Sequence, residues 1–320
     1  MLSFLKKKLK IVFSGTSNFS SQHLKQLIDY KYKIVGVITQ PDRPSGRGKK
    51  IIESPVKQIA KKYNISVFQP ENFNDSTIHD QLYKLHANLM IVVSYGLIIP
   101  KNILNIFSIG CINIHASLLP RWRGAAPIQS AILHGDLITG ITIIKMDEGI
   151  DTGKILYSIS CKIEKFDTSQ SLQNKLSKIG CQAILLILQK IELRQYNAII
   201  QSKLTTYSYK IKKQDAQLNW LKDAKILEQC IRAFNPWPIS FFKIKKEHIK
   251  VWQANVIIQK NINLYCAGEI ILINKNGLQI QTKKNILNIT RIQLPGKKII
   301  NAYDLNNSKH HWFAPNTRLI

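Results

Sequence analysis

Asn113 and His115 stand two residues apart in Cys111-Ile112-Asn113-Ile114-His115, a stretch in which apolar and polar residues alternate. That period belongs to a β-strand, with Ile112 and Ile114 on one face and Asn113 and His115 side by side on the other. Pro120 and Gly124 break the pattern soon afterwards. The pair therefore falls near the carboxyl end of its strand, the edge at which open α/β sheets bind ligands. An amide that donates a hydrogen bond beside an imidazole that moves a proton suits attack on a carbonyl. Spacing alone serves a hydrogen-bonded structural pair equally well. A carboxylate for the ring is offered by the acidic, glycine-containing run Asp147-Glu148-Gly149-Ile150-Asp151-Thr152-Gly153. Asp151-Thr152-Gly153 also reads as a plain turn before the next strand.

These groups need a scaffold, and the flanking sequence supplies one. Lys10–Gly15 reads as a buried strand, about Ser20–Tyr30 as a helix, and Lys33–Thr39 as a second strand. Together they form a βαβ unit with a parallel sheet. No G-x-G-x-x-G follows the first strand, so a dinucleotide is not indicated. Ser54-Pro55 opens a helix as N-cap and first-turn proline. A short strand at Val67-Phe68 and a helix from Asp75 to about His86 follow, with Ile78, Leu82 and Leu85 facing inward. Asn88–Gly96 is the most apolar run, as a central parallel strand buried on both faces requires. Beyond His115 come a helix over about Ala125–His134, a strand at Thr139–Ile144, a strand from Lys154, and a helix from about Thr168 to Ile191. This predicts a first domain over 1–193 and, for want of periodicity, a linker over 194–209.

From residue 210 the character changes. One helix near Asp223–Phe234 precedes Asn235-Pro236-Trp237-Pro238, and five short alternating strands fill Ile239–Gln293. That pattern predicts a second domain over 210–320 built as a small barrel of the kind OB-type nucleic-acid binders use. Lysines 245, 246, 250, 283, 284, 297 and 298 spread positive charge across it.

The chain has 320 residues, with 46 Lys and Arg against 19 Asp and Glu, a formal net charge of +27. Such an excess points to a polyanionic partner, nucleic acid before an anionic membrane surface. The segment Gln40-Pro41-Asp42-Arg43-Pro44-Ser45-Gly46-Arg47-Gly48-Lys49-Lys50 concentrates part of it. Its prolines and glycines predict a loop without regular structure, able to close on phosphates through Arg43, Arg47, Lys49 and Lys50. The five cysteines are scattered and include no Cys-x-x-Cys pair, which argues against a disulfide framework or a zinc site and for a reducing cytoplasm. No apolar window reaches the ~18 residues of a membrane span. A cytoplasmic monomer without metal is expected.

Several longer motifs now converge. They are Ser117-Leu118-Leu119-Pro120-Arg121-Trp122-Arg123-Gly124-Ala125-Ala126-Pro127-Ile128-Gln129, Thr39-Gln40-Pro41-Asp42-Arg43-Pro44, Gly46-Arg47-Gly48-Lys49-Lys50, Asp151-Thr152-Gly153 and Cys230-Ile231-Arg232-Ala233-Phe234-Asn235-Pro236-Trp237-Pro238. From about Leu9 to its end the sequence closely resembles the methionyl-tRNA formyltransferases. The resemblance implies an α/β fold with an N-terminal Rossmann-like, open, mostly parallel sheet as formyltransferase domain, followed by a C-terminal OB-like β-barrel domain. It implies 10-formyltetrahydrofolate as formyl donor and methionyl initiator tRNA as acceptor. Asn113, His115 and Asp151 match the family's catalytic residues, and Ser117, Leu118, Leu119 and Pro120 its folate-contacting element. Arg43, Arg47, Lys49 and Lys50 match the segment that approaches the tRNA acceptor end. Asn113 and a protonated His115 would stabilise the oxyanion, while Asp151 would orient the ring and help take the proton leaving the amine.

Two residues depart from the family pattern. Ala116 stands where glycine is usual, and would be strained at a positive φ. Lys154 replaces an acid. Two other readings stay open at this stage. A formyltransferase acting on a small amine shares the Ser-Leu-Leu-Pro element, but the basic loop and second domain argue against it. An RNA-binding protein with a decayed site is opposed by the intact Asn113, His115 and Asp151.

Overall fold

Leu89–Val93, the apolar run expected at the centre of a parallel sheet, is buried at all five positions in the computed structural model, which describes residues 9–45, 48, 50–259, 265–307 and 312–319. Through residue 209 the chain runs β1 (Lys10–Gly15), α1 (Asn18–Asp29), β2 (Lys33–Ile38), β3 (Arg43–Ser45), β4 (Lys50–Ile52), α2 (Pro55–Lys62), β5 (Val67–Phe68), α3 (Ser76–Tyr83), β6 (Leu89–Val93), α4 (Lys101–Leu104), β7 (Gly110–His115), β8 (Arg123–Gly124), α5 (Pro127–Leu133), β9 (Ile138–Lys145), β10 (Lys154–Lys162), α6 (Ser169–Glu192) and β11 (Tyr207–Ser208). The chain divides into two compact units, Met1–Pro127 with Ile138–Lys162 and Gln173–Tyr209, and Ile128–Leu137 with Ile163–Leu172 and Lys210–Ile320.

The first unit holds a seven-stranded sheet in the order β10-β9-β7-β6-β1-β2-β5. Strands β5, β2, β1, β6 and β7 pair in parallel, while β9 and β10 close one side antiparallel. Growth of the sheet starts at β1, proceeds through β2 and β5, then returns to the other side of β1 with β6. That reversal opens the crevice at the carboxyl ends of the strands. Side chains alternate as the period requires. In α3, Ile78 and Leu82 are buried in one cluster with Met90 and Val92 of β6. Local chemistry fixes the helix starts, as Ser17, Ser54 and Asp75 each accept a backbone N–H from the first turn they cap.

The basic segment after β2 departs from the sequence expectation. Instead of lacking regular structure, β3 and β4 pair antiparallel, Arg43 opposite Ile52 and Pro44 opposite Ile51. A two-stranded ladder has only edges, so a proline without an N–H is tolerated there as it would not be in the main sheet. Asp42 anchors the base of this hairpin, accepting from Lys57 Nζ at 2.5 Å and from Gln69 Nε2 at 2.9 Å. The Lys57 hydrogen bond holds its carboxyl below the usual carboxylate range. Gly46, Arg47 and Lys49 lie outside the described residues.

The second unit contains α7 (Ala224–Ala233), β12 (Phe241–Ile244), β13 (Glu247–Ile257), β14 (Ile270–Asn274), β15 (Gly277–Gln281), β16 (Ile286–Gln293) and β17 (Ile299–Asn301). Strands run β12-β13-β16-β15-β14, all antiparallel, with β17 added on β16. Register shifts near Val251–Ala254 bend the long β13 and help to curl the sheet into a half-barrel. Its concave side buries Phe242, Leu278, Ile280, Leu287 and Ile289 against Leu227 and Ile231 of α7. The sequence expected five strands here; β17 is a sixth. This unit also takes in Ile128–Leu137 and Ile163–Leu172, which the sequence assigns to the first domain. Hydrogen bonds tie Ile163–Leu172 into this unit. Ser169 Oγ donates to the Asn235 carbonyl at 2.6 Å, and Arg232 Nη1 donates to that of Asp167 at 3.0 Å. The lysines at 245, 246, 250, 283, 284, 297 and 298 are all exposed.

One buried group gives the first unit a pH signature. His23 of α1 is 0% exposed, its Nδ1 donates to the Phe19 carbonyl at 2.8 Å, and Nε2 has no hydrogen-bond partner among the described residues. Gly180 of α6 leaves the room this ring occupies, since a Cβ there would lie 2.5 Å from Nε2. Burial lowers the His23 pKa from 6.5 to about 4. Between those values the unfolded chain binds the extra proton, so stability falls as pH is lowered through that window. The contribution reaches about 3 kcal/mol. Denaturant midpoints measured from pH 7 to pH 4 should fall accordingly, and His23→Leu should flatten that part of the profile.

Candidate active site

β7 delivers Asn113 and His115 to one face, as its period dictates, while Ile112 and Ile114 are buried on the other. Next to β7, β9 runs antiparallel, with Asn113 opposite Ile144 and His115 opposite Thr142. The chain leaves β9 at Lys145 and turns back through Asp147–Gly153 into β10. This return places Asp151 beside the pair. Its Oδ1 accepts from Asn113 Nδ2 at 2.9 Å, and its Oδ2 accepts the Gly124 N–H at 2.8 Å. His115 Nδ1 lies 3.4 Å from the same Oδ2, with the two side chains only 6% and 13% exposed.

The second imidazole nitrogen sets the tautomer. His115 Nε2 is 2.9 Å from the Trp122 carbonyl oxygen. A carbonyl only accepts, so Nε2 carries a hydrogen. The 3.4 Å contact then brings Nδ1 to a carboxylate that is already an acceptor for two donors. The three side chains thus bring an amide donor, an imidazole and a carboxylate side by side. Asp151 engages one of the two N–H donors of Asn113. Such a constellation can polarise a carbonyl and relay one proton.

The loop from Ala116 to Trp122 is pinned from within. Thr142 Oγ1 donates to the Ser117 carbonyl at 2.7 Å and accepts the Leu119 N–H at 3.0 Å. Ser117 is fully buried and donates to the Arg121 carbonyl at 2.6 Å. Of Ser117, Leu118, Leu119 and Pro120, only Leu118 and Pro120 are partly exposed. The left-handed positions in this region are Trp122, Gly124 and Asp151, at φ of 60°, 111° and 54°. Ala116 is not among them, so the strain anticipated from its methyl group does not arise. Lys154 is exposed, opposite Lys145 at the start of β10. Arg43 is exposed on the separate β3–β4 hairpin, and Lys50 begins β4.

Residues 194–209, expected as a linker, instead complete this site. β11 pairs in parallel with β8, Tyr207 beside Arg123 and Ser208 beside Gly124. Thr206 Oγ1 accepts the Trp122 N–H at 2.9 Å, and the Ser208 carbonyl accepts the Ala125 N–H at 3.0 Å. Gln201, 9% exposed, donates from Nε2 to the carbonyls of Asp151 at 2.8 Å and Gly153 at 2.7 Å. Its Oε1 accepts from Arg123 Nε at 3.1 Å and Nη2 at 2.7 Å. Sequence patterning has no means of finding Gln201, which lies 78 residues from Arg123 and grips backbone rather than side chains of the turn.

Proteins of known family share this architecture. Residues 7–188 match the family described as Formyl transferase, and residues 210–310 that described as Formyl transferase, C-terminal domain. The Methionyl-tRNA formyltransferase of Buchnera aphidicola subsp. Baizongia pistaciae (strain Bp) is 59% identical over 313 residues, 97% of each chain. That of subsp. Schizaphis graminum (strain Sg) is 51% identical over 313 residues, 96% of this chain and 98% of the relative. Among solved structures, the sugar 3N-formyl transferase WlaRD, crystallised with dTDP and 5-N-formyl-THF, superposes with a TM-score of 0.65 at 20% identity. The match covers 91% of this chain and 99% of that one. HypX from Aquifex aeolicus in complex with tetrahydrofolic acid gives 0.63 at 16% identity, over 94% of this chain and 47% of its own. At such identities these two support the fold. Among the described residues, no group of three or more His, Cys, Asp or Glu side chains is placed to hold a metal ion, and no helix is long and apolar enough to cross a membrane.

The turn carrying Asp151 depends on a close approach. A Cβ on Gly153 would lie 1.8 Å from the Lys145 carbonyl oxygen and 2.9 Å from its carbon. Backbone cannot yield as a flexible side chain does, so Gly153→Ala should destabilise the chain by about 3 kcal/mol or more. Thermal unfolding should show a midpoint lower by roughly 5–10 °C.

Proposed function

The chain belongs to the formyltransferase family, among the methionyl-tRNA formyltransferases, and from that membership we propose how its own residues carry out the reaction. The enzyme transfers the formyl group of 10-formyltetrahydrofolate to the amino group of methionine esterified to tRNA. In our reading the acceptor is the initiator tRNA, and the catalytic residues are Asn113, His115 and Asp151. The observation that carries this reading is the meeting of one amide, one imidazole and one carboxylate at 2.9 and 3.4 Å.

The roles follow from bonding capacity. The amine nitrogen must form a bond to the formyl carbon, negative charge must grow on the formyl oxygen, and the bond from that carbon to N10 of the folate must break. Asn113 uses the N–H that Asp151 does not engage to stabilise the oxygen, an interaction worth ~3–4 kcal/mol of barrier. His115, protonated in this reading, supplies positive charge beside the oxyanion, with Nε2 donating to the Trp122 carbonyl and Nδ1 3.4 Å from Asp151. Asp151 accepts the proton leaving the amine, the Nδ1 proton of the protonated His115 passes to the departing N10, and the proton gained by Asp151 then restores Nδ1. Proton and charge balance without a metal ion or a covalent enzyme intermediate.

Ser117, Leu118, Leu119 and Pro120 form the folate-facing element in this proposal. Ser117 and Leu119 shape it from inside, and the partly exposed Leu118 and Pro120 touch the ligand. Arg43, Arg47, Lys49 and Lys50 meet phosphates at the acceptor end. Residues 1–193 act as the catalytic domain, and 210–320, with their exposed lysines, as a tRNA-contacting one. The enzyme works as a monomer in the cytoplasm.

A formyl-transfer assay with 10-formyltetrahydrofolate should give product on charged initiator tRNA but not on charged elongator tRNA or free methionine. His115→Ala should abolish the product while leaving tRNA affinity within about twofold; equal loss of both would remove the catalytic assignment. Neutralising Arg43, Arg47, Lys49 and Lys50 together should weaken tRNA binding and reduce the slope of log affinity against log salt by roughly 0.7–0.9 for each phosphate no longer neutralised. An unchanged slope would exclude the loop from the phosphate backbone.

A further inference from the structure

We propose that Gln201 is a positioning residue for the formyl transfer, acting through Asp151; the inference rests on the assignment of Asp151 to the reaction. The amide orientation follows from its neighbours. Arg123 can only donate, and both its Nε and Nη2 point at one end of the Gln201 amide, at 3.1 and 2.7 Å, so that end is Oε1. Nε2 must then face the carbonyls of Asp151 and Gly153, at 2.8 and 2.7 Å. One NH2 group thus ties both ends of the Asp151-Thr152-Gly153 turn. Asp151 holds a left-handed backbone at φ 54°, one that aspartate adopts more readily than most non-glycine residues but that still needs support to be kept as a single state. The carboxylate can meet Asn113, Gly124 and His115 only while its backbone stays there. Arg123, 8% exposed, and Gln201, 9% exposed, have almost no water to replace these bonds. Arg123 therefore aligns Gln201, Gln201 fixes the turn, and the turn aims the carboxylate. Neither Gln201 nor Arg123 has to touch substrate.

Gln201→Met tests this by keeping length and bulk while removing both polar ends. Rates should be measured in single-turnover reactions with saturating enzyme, charged initiator tRNA and 10-formyltetrahydrofolate, so that slow variants remain measurable. The expected rate is about 30- to 100-fold below the parent, the size of loss that misplacement of a reacting group by about 1 Å produces. Half-saturating concentrations of both substrates should move less than threefold. In an Asp151→Asn background, Gln201→Met should lower the rate less than twofold further, because the group it positions has already lost its charge. Gln201→Glu keeps an acceptor for Arg123 but sets an oxygen against the two carbonyls. It should lose rate as deeply, and it supplies the test if Gln201→Met does not fold. A folded Gln201 variant within threefold of the parent rate overturns the inference. So does the same fractional loss in the Asp151→Asn background as in the parent, which would make Gln201 a general structural support. If Asp151→Asn alone leaves the rate unchanged, the assignment of Asp151 falls and the inference with it. If Asp151→Asn is crippled while Gln201→Met is not, the inference alone falls.

Discussion

The Asp151 carboxylate is the point on which this site closes. It is 13% exposed, accepts from Asn113 on β7 and Gly124 on β8, and lies 3.4 Å from His115 Nδ1, while Gln201 holds its backbone. A carboxylate so withdrawn from water needs such partners, because burying it without them is costly. That requirement reaches outward. Gly124 can present its N–H only with φ at 111°, and a Cβ there would stand 2.4 Å from the Ser208 carbonyl. The tight pairing of β8 with β11 and the choice of glycine are thus set by the same anion.

Much of this was legible in the residues alone. The period of two in Cys111–His115 placed Asn113 and His115 on one face, and the unbroken apolar run at Leu89–Val93 marked the sheet's buried centre. Those signals are local, and the sheet obeys them. What local signals could not carry is pairing over long distances. Residues 194–209 have no hydrophobic period because they bury few side chains. Their work is done by backbone groups and by Gln201, Thr206 and Ser208, which look like ordinary loop polarity in a sequence. The β3–β4 hairpin was missed for a related reason. Proline and glycine forbid a place in a large sheet but not in a ladder of two strands. Ala116 invited an expectation of strain from its neighbours in a motif, and only the backbone angle could dismiss it.

Charge is distributed by a different logic from the catalytic groups. The 46 cationic side chains outnumber the 19 acidic ones, and the lysines at 245, 246, 250, 283, 284, 297 and 298 lie exposed in the second unit. Some of the acids carry structure. Asp42 fastens the base of the basic hairpin through Lys57, and Asp75 caps α3. A surface of this kind suits a partner read through its phosphates.

The position of Gln201 along the chain has a consequence for how the enzyme comes into being. A polypeptide that has emerged only as far as Glu192 already contains all seven strands of the large sheet, together with Asn113, His115 and Asp151. It lacks the amide that ties the turn, the hydroxyl of Thr206 that accepts from Trp122, and the strand that covers Gly124. During synthesis the scaffold therefore precedes the tool. On the assignment proposed above, the groups displayed by residues made early are brought into register by residues made later, and competence would arrive with the segment at 201–208 rather than with the large sheet.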